Sequence, residues 1–183
     1  MSKKRDALNP ANLITIVRIA ITPVFLWALF TYFKPGENVG WILLLGFIAI
    51  SATDGLDGAI ARKRNIVTKL GKILDPIADK VLIGGTFLVL SVLDQIPWWA
   101  TVAILVREIG MTLYRLVVVK KKVIAASNSG KTKTIFQSIA LGYFISPLNK
   151  LWFNETFDIG FGLLYGAVFL TWWSAIQYFK ESR

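Results

Sequence analysis

Four aspartates stand at the spacing Asp54-x2-Asp57-Gly58-x2-Ala61-Arg62-x8-Gly71-x3-Asp75-x3-Asp79. The chain has 11 acidic residues among 183, so these four hold over a third of its negative charge within a short stretch. Each pair lies at the edge of a long apolar run, where an unpartnered carboxylate is costly. On a helix at 100° per residue, and with Asp54 as zero, Asp57 falls at about −60°, Gly58 at about 40°, Ala61 at about −20° and Arg62 at about 80°. All five share one arc. Gly71, Asp75 and Asp79, four apart, form a narrow stripe on the next helix. If the two faces meet, four carboxylates converge and repel one another unless cations neutralise them. Two divalent ions would do so, and a two-metal clamp suits in-line displacement at phosphorus. Gly58, Ala61 and Gly71 leave room for a diphosphate near the backbone, and Arg62 can pair a phosphate. Capping aspartates and lysine salt bridges are the bland alternative. They do not explain four carboxylates in register with Gly, Ala and Arg.

The rest of the composition narrows the chemistry. Cys and His are both absent, which excludes disulfides, common zinc frameworks and thiol or imidazole catalysis. Hard oxygen-ligated ions such as Mg2+ or Mn2+ remain. The chain is 55% hydrophobic and 13% aromatic with seven Trp, which fits several membrane spans better than a soluble domain. A net charge of +10 in such a chain indicates topogenic bias and anionic lipid or phosphate partners, and not nucleic acid. The polar start, Ser2 to Ala11, does not read as a signal peptide.

Those residues must be positioned by helices. Six apolar stretches run over about 12–33, 39–61, 73–93, 97–119, 132–148 and 157–179. Pro35-Gly36 and the segment Asp94 to Pro97 break them. The expected architecture is an all-α integral membrane bundle of six transmembrane helices, forming a single domain over 1–183. Basic residues precede the first stretch (Lys3, Lys4, Arg5) and lie between the second and third (Arg62, Lys63, Arg64, Lys69, Lys72). Others follow the fourth (Lys120 to Lys122, Lys131) and end the chain (Lys180, Arg183). The positive-inside rule then puts both termini and the aspartates in the cytoplasm. Trp41, Trp98, Trp99, Trp152, Trp172 and Trp173 are expected as interfacial anchors near span ends. Lys120 to Lys122 read as a topogenic cluster with no catalytic role.

A second basic set lies outside the aspartate region. Arg107 and Arg115 are eight apart on the fourth stretch, and Lys131 and Lys133 open the fifth. Together they suggest a pocket for a phosphorylated acceptor. For Arg107 the bland alternative is an ion pair with Glu108 or snorkelling; for the lysines it is topogenic charge.

The string DGLDGAIARKRNIVTKLGKILDPIADK, residues 54–80, resembles the signature of the CDP-alcohol phosphatidyltransferases at every fixed position. The resemblance implies six transmembrane helices, a homodimer, and two Mg2+ or Mn2+ ions. It implies transfer of a phosphatidyl group from a CDP-linked lipid to an alcohol, with release of CMP. Carried over by position, Asp54, Asp57, Asp75 and Asp79 ligate the metals, and Asp79 also serves as general base. Gly58, Arg62 and Thr68 hold the CDP portion, with Ala61 and Gly71 leaving it space. Asn12 and Thr15 match a shorter Asn-x2-Thr segment that lines the nucleotide pocket. The basic set, with Gly130 and Thr134, resembles members that use sn-glycerol 3-phosphate as acceptor and CDP-diacylglycerol as donor. Gly55 and Leu56 depart from the aromatic residues common there. Inositol phosphate or a lipid acceptor within the family stays open. From another class, so does a small transporter binding cations, although the aspartates cluster at one face and no repeat is visible.

Overall fold

A computed structural model of the chain describes residues 10–63, 71–118, 128–151 and 159–181. The described residues form helices and no strand. Six long helices run over α1 (Pro10–Tyr32), α2 (Val39–Lys63), α3 (Gly71–Val92), α4 (Trp98–Val118), α5 (Asn128–Ile145) and α6 (Ile159–Glu181), with one further turn at Leu148–Leu151. Each matches an expected apolar stretch, and the breaks have local causes. Gly36 at φ 79° turns the chain between α1 and α2, and Asp94 at φ 56° turns it between α3 and α4.

The largest difference is at α5, expected over 132–148. It starts four residues earlier because lysine-bearing turns are good helix even where hydropathy falls. It ends at Ile145 because Pro147 cannot continue it. Ser146 Oγ donates to Tyr143 O at 2.8 Å and Asn149 Nδ2 to Phe144 O at 3.2 Å, so side chains satisfy the last carbonyls.

Helix directions alternate along the chain. Phe25 packs near Phe47, with ring centroids 6.2 Å apart, and only residues 33–38 join the two helices, so α1 runs antiparallel to α2. Ser91 meets Thr101 at 2.6 Å and Lys80 meets Thr112, so α3 and α4 are antiparallel. Trp99 stacks on Tyr165 and Tyr114 meets Tyr178 edge to face, so α4 and α6 run the same way. The starts of α1, α3 and α5 therefore share one end of the bundle with the ends of α2, α4 and α6. α1 packs on α2 and α3, α6 packs on α4 and α5, and α5 also touches α2 and α3.

One apolar core runs through all six helices, including Leu29, Phe47, Phe87, Ile104, Leu141 and Leu164. Polar side chains are buried with it: Thr22, Thr86 and Thr101 are fully inaccessible. Large apolar side chains lie outside on every helix, with Ile42 71% and Phe169 63% exposed. An apolar exterior of that extent suits lipid contact. Leu13–Tyr32 and Ile159–Tyr178 are each long and apolar enough to cross a membrane. Trp41, Trp98, Trp99, Trp172 and Trp173 are exposed, and the first three open α2 and α4 at the end away from the aspartates. Trp152 lies outside the described residues.

Candidate active site

The last turns of α2 carry Asp54, Asp57, Gly58, Ala61 and Arg62, and the first turns of α3 carry Gly71, Asp75 and Asp79. Seven residues join them, a chain that spans at most about 30 Å, so the aspartates of both helices lie at one end. α2 and α3 also pack on each other. Asn12 and Thr15 sit on the first turns of α1 at that same end. Of the residues expected at the site, Thr68 lies outside the described residues, as does the side chain of every other one except Thr15, Asp79, Arg107 and Lys133.

Helix register gives the depth of each position. Phe25 of α1 is level with Gly46 and Phe47 of α2, and Leu26 is level with Gly85 of α3. Counting back at 1.5 Å per residue, Thr15 lies roughly level with Asp57, and Arg18 with Asp54 and the Asp75–Asp79 turn. Thr15 and Arg18 are buried, at 1% and 2% exposure. They belong to the stripe Thr15, Arg18, Thr22, Phe25, Leu29 along the inner face of α1.

The described polar side chains at this end form one cluster across four helices. Glu108 on α4 is its centre. Its Oε1 accepts from Arg107 Nη1 at 3.0 Å and from Lys133 Nζ of α5. Arg107 Nη2 donates to Ser174 Oγ of α6, and Ser174 Oγ to Thr171 O at 3.1 Å. Gln137, one turn beyond Lys133, donates to Thr171 Oγ1 at 2.8 Å. Lys80 of α3 donates to Thr112 Oγ1, which donates to Glu108 O at 2.8 Å. Lys80 also acts electrostatically on Glu108, and Asp79 on Lys133. Arg107 and Lys133 are 8% and 9% exposed, and charges so buried need such partners.

Two of the four expected acceptor residues, Arg107 and Lys133, are thus brought together, and Lys133 lies within electrostatic reach of Asp79. Arg115 lies two turns beyond Arg107 and Lys131 half a turn before Lys133, on helices linked here by the Lys133–Glu108 pair. Reading the sequence did not select Lys80, Thr112, Gln137 or Ser174. Only Lys80, beside Asp79, carries a visible signal, as a charge inside an apolar run.

The donor chemistry fits divalent cations. Asp54 and Asp57 are spaced i,i+3 and Asp75 and Asp79 i,i+4 on packed helices, which places each pair on one face. Hard carboxylate oxygens suit Mg2+ or Mn2+. No cluster of three acidic groups occurs among the described residues, and of the four aspartates only the side chain of Asp79 is among these.

Sequence comparison gives the class and family of this helical bundle with carboxylates on two adjoining helices. Residues 8–173 match the CDP-alcohol phosphatidyltransferase family, and the chain belongs to it. Over 144 residues it is 44% identical to a Mycobacterium tuberculosis protein named "Probable phosphatidylglycerophosphate synthase", covering 77% of this chain and 68% of the relative. It is 37% identical to the Bacillus subtilis CDP-diacylglycerol–glycerol-3-phosphate 3-phosphatidyltransferase, with 95% of each chain covered. Identity to the Haemophilus influenzae protein of the same name is 36%, over 93% of this chain and 91% of the relative. The protein is an enzyme of phospholipid biosynthesis, a transferase. Its apolar helices associate it with a membrane.

Proposed function

We propose that this protein transfers the phosphatidyl group of CDP-diacylglycerol to sn-glycerol 3-phosphate, giving phosphatidylglycerophosphate and CMP. The observation that carries this reading is the meeting of Arg107 and Lys133 at Glu108, beside Asp79. A cationic pocket next to a carboxylate base suits an acceptor bearing both a phosphate and a hydroxyl. The names of the relatives point to the same acceptor.

Asn12, Thr15, Gly58, Ala61, Arg62, Thr68 and Gly71 hold the CDP-lipid. Arg62 pairs its diphosphate, and the small residues let it approach the helices. Asp54, Asp57, Asp75 and Asp79 hold two Mg2+ or Mn2+ ions, which when bound offset negative charge on the diphosphate and on the departing CMP. Arg107, Arg115, Lys131 and Lys133 bind the acceptor phosphate. Asp79 takes the proton of the acceptor hydroxyl as its oxygen bonds to the β-phosphorus. The anhydride bond to the α-phosphate breaks, and CMP leaves with the bridging oxygen. No covalent enzyme intermediate is required.

In this reading the chain is one domain over 1–183 whose six helices all cross the membrane, with both termini and the aspartate end in the cytoplasm. It works as a homodimer, in a bacterial cytoplasmic membrane. The apolar exterior of every helix supports the spans, and the lysines and arginines between α2 and α3 support the orientation.

The test supplies purified protein in detergent with CDP-diacylglycerol and Mg2+, and measures CMP release with each acceptor in turn. Glycerol 3-phosphate is expected to be used, ahead of inositol phosphate, serine and phosphatidylglycerol. Release with none of them would sink the enzyme reading. Release with inositol phosphate alone would move the acceptor to that compound.

A further inference from the structure

Arg107 and Lys133 approach the same atom, Glu108 Oε1. Two buried cations converging on one point repel each other, and without an anion between them they would separate. Glu108 therefore fixes both where they stand. Its helix is held in turn: Thr112, one turn on, receives Lys80 from α3 and donates to the Glu108 carbonyl. Arg107 is anchored at its other nitrogen by Ser174 of α6. Lys80 follows Asp79 in the chain, and Lys133 is an electrostatic neighbour of Asp79. A carboxylate inside a site built for an anion has no value for binding phosphate by itself. Its use is to order the cations.

We infer that Glu108 is the positioning residue of the acceptor-phosphate site, holding Arg107 and Lys133 together at a fixed place beside Asp79. This inference rests on the proposed binding of acceptor phosphate by those two cations. Glu108 touches neither substrate. Its carboxylate sets the spacing of the pair, so phosphate meets a preorganised fork in place of two loose side chains. The groups facing it are Arg107 on its own helix, Lys80 on α3 and Lys133 on α5.

The test compares Glu108→Gln, Glu108→Asp, Lys133→Met, Arg107→Met and the Glu108→Gln/Lys133→Met double variant in the full-length protein. KM for glycerol 3-phosphate, KM for CDP-diacylglycerol and the inhibition constant of inorganic phosphate are measured for each. Glu108→Gln is expected to raise the acceptor KM and the phosphate inhibition constant about tenfold, leaving the CDP-diacylglycerol KM within about twofold. Glu108→Asp should recover part of the loss, and it carries the same comparison if Glu108→Gln does not fold. The double variant should raise the acceptor KM by less than the product of the two single effects, because Glu108 has then lost one of the two groups it positions; a full product would overturn the inference. If the two cation variants raise the acceptor KM and both Glu108 variants leave it unchanged, the inference is overturned and the acceptor site stands. If neither cation variant changes it, the acceptor site itself is wrong and the inference falls with it. An equal rise in both substrate KM values for Glu108→Gln would also overturn the inference, since it would signal general loosening.

Discussion

Arg18→Met is the most informative single substitution away from the acceptor pocket. Arg18 sits two turns into an apolar helix and is 2% exposed. Its stripe on α1 faces α2 and α3, because Phe25 in that stripe meets Phe47 and α1 packs on those two helices. Register puts it roughly level with Asp54 on α2 and with the turn between Asp75 and Asp79 on α3. No other acid lies on those helices, so the expected counter-charge is an aspartate. Removing one member of a buried ion pair costs about 3–5 kcal/mol, because the other charge stays buried. For a chain of this size each kcal/mol is about 2–4 °C in Tm, so a fall of about 6–20 °C is expected. Thermal unfolding in detergent, followed by tryptophan fluorescence, measures it. Arg18→Lys, which keeps the charge, should lose less. A variant Arg18→Met that melts within about 3 °C of the parent, or above it, would refute the reasoning, since a methionine that packs as well as the arginine means no acid was left unpaired.

Asp75→Asn is expected to reduce CMP release by ~10²–10³-fold or more with Tm little changed, and near-normal turnover would refute the two-metal reading. Arg115→Ala should raise the glycerol 3-phosphate KM about tenfold at unchanged CDP-diacylglycerol KM, whereas a loss confined to protein yield would make Arg115 structural. Gly40→Ala tests helix packing far from the site. Its Cβ would lie 2.7 Å from Ile145 O and 3.0 Å from Pro147 Cδ, so about 1–3 kcal/mol of destabilisation is expected. Gly110→Ala, with nothing within 4 Å, should melt at or above the parent temperature.

The helices were legible because their signal is local. Apolar runs ended at Pro35-Gly36 and at Asp94 to Pro97, and the chain turns at Gly36 and Asp94. The aspartate spacing was legible for the same reason, as i,i+3 and i,i+4 steps read directly as faces. At α5 hydropathy misplaced the start, since lysines lower it without unwinding a helix. The cluster around Glu108 was visible only in part. The Arg107–Glu108 pair is adjacent in sequence and was weighed as the bland reading of Arg107. Lys133 lies 25 residues from Glu108 and Ser174 lies 67 from Arg107, so those contacts depend on which helices pack and at what depth, which no periodicity records. Arg18 was not selected from the sequence, and its level against Asp54 required the Phe25–Phe47 contact.

The bland and functional readings of Arg107 are not exclusive once the helices are packed. An arginine held by Glu108 and Ser174 has both terminal nitrogens partnered in the free protein, and such partners are what allow a charge to wait, buried and oriented, for an anion. The same holds for Lys133, which pairs with Glu108 and feels the charge of Asp79. A phosphate arriving there brings its own negative charge to cations already ordered, so little reorganisation opposes binding. The acceptor chemistry then limits distance. On the proposed roles, the hydroxyl reaches Asp79 while the phosphate stays on Lys133, and Asp79 acts electrostatically on Lys133. A short polyol phosphate, with hydroxyl and phosphate on one three-carbon chain, meets both demands. On this proposal the two cations act as a ruler measured from Asp79, with Glu108 fixing its far end.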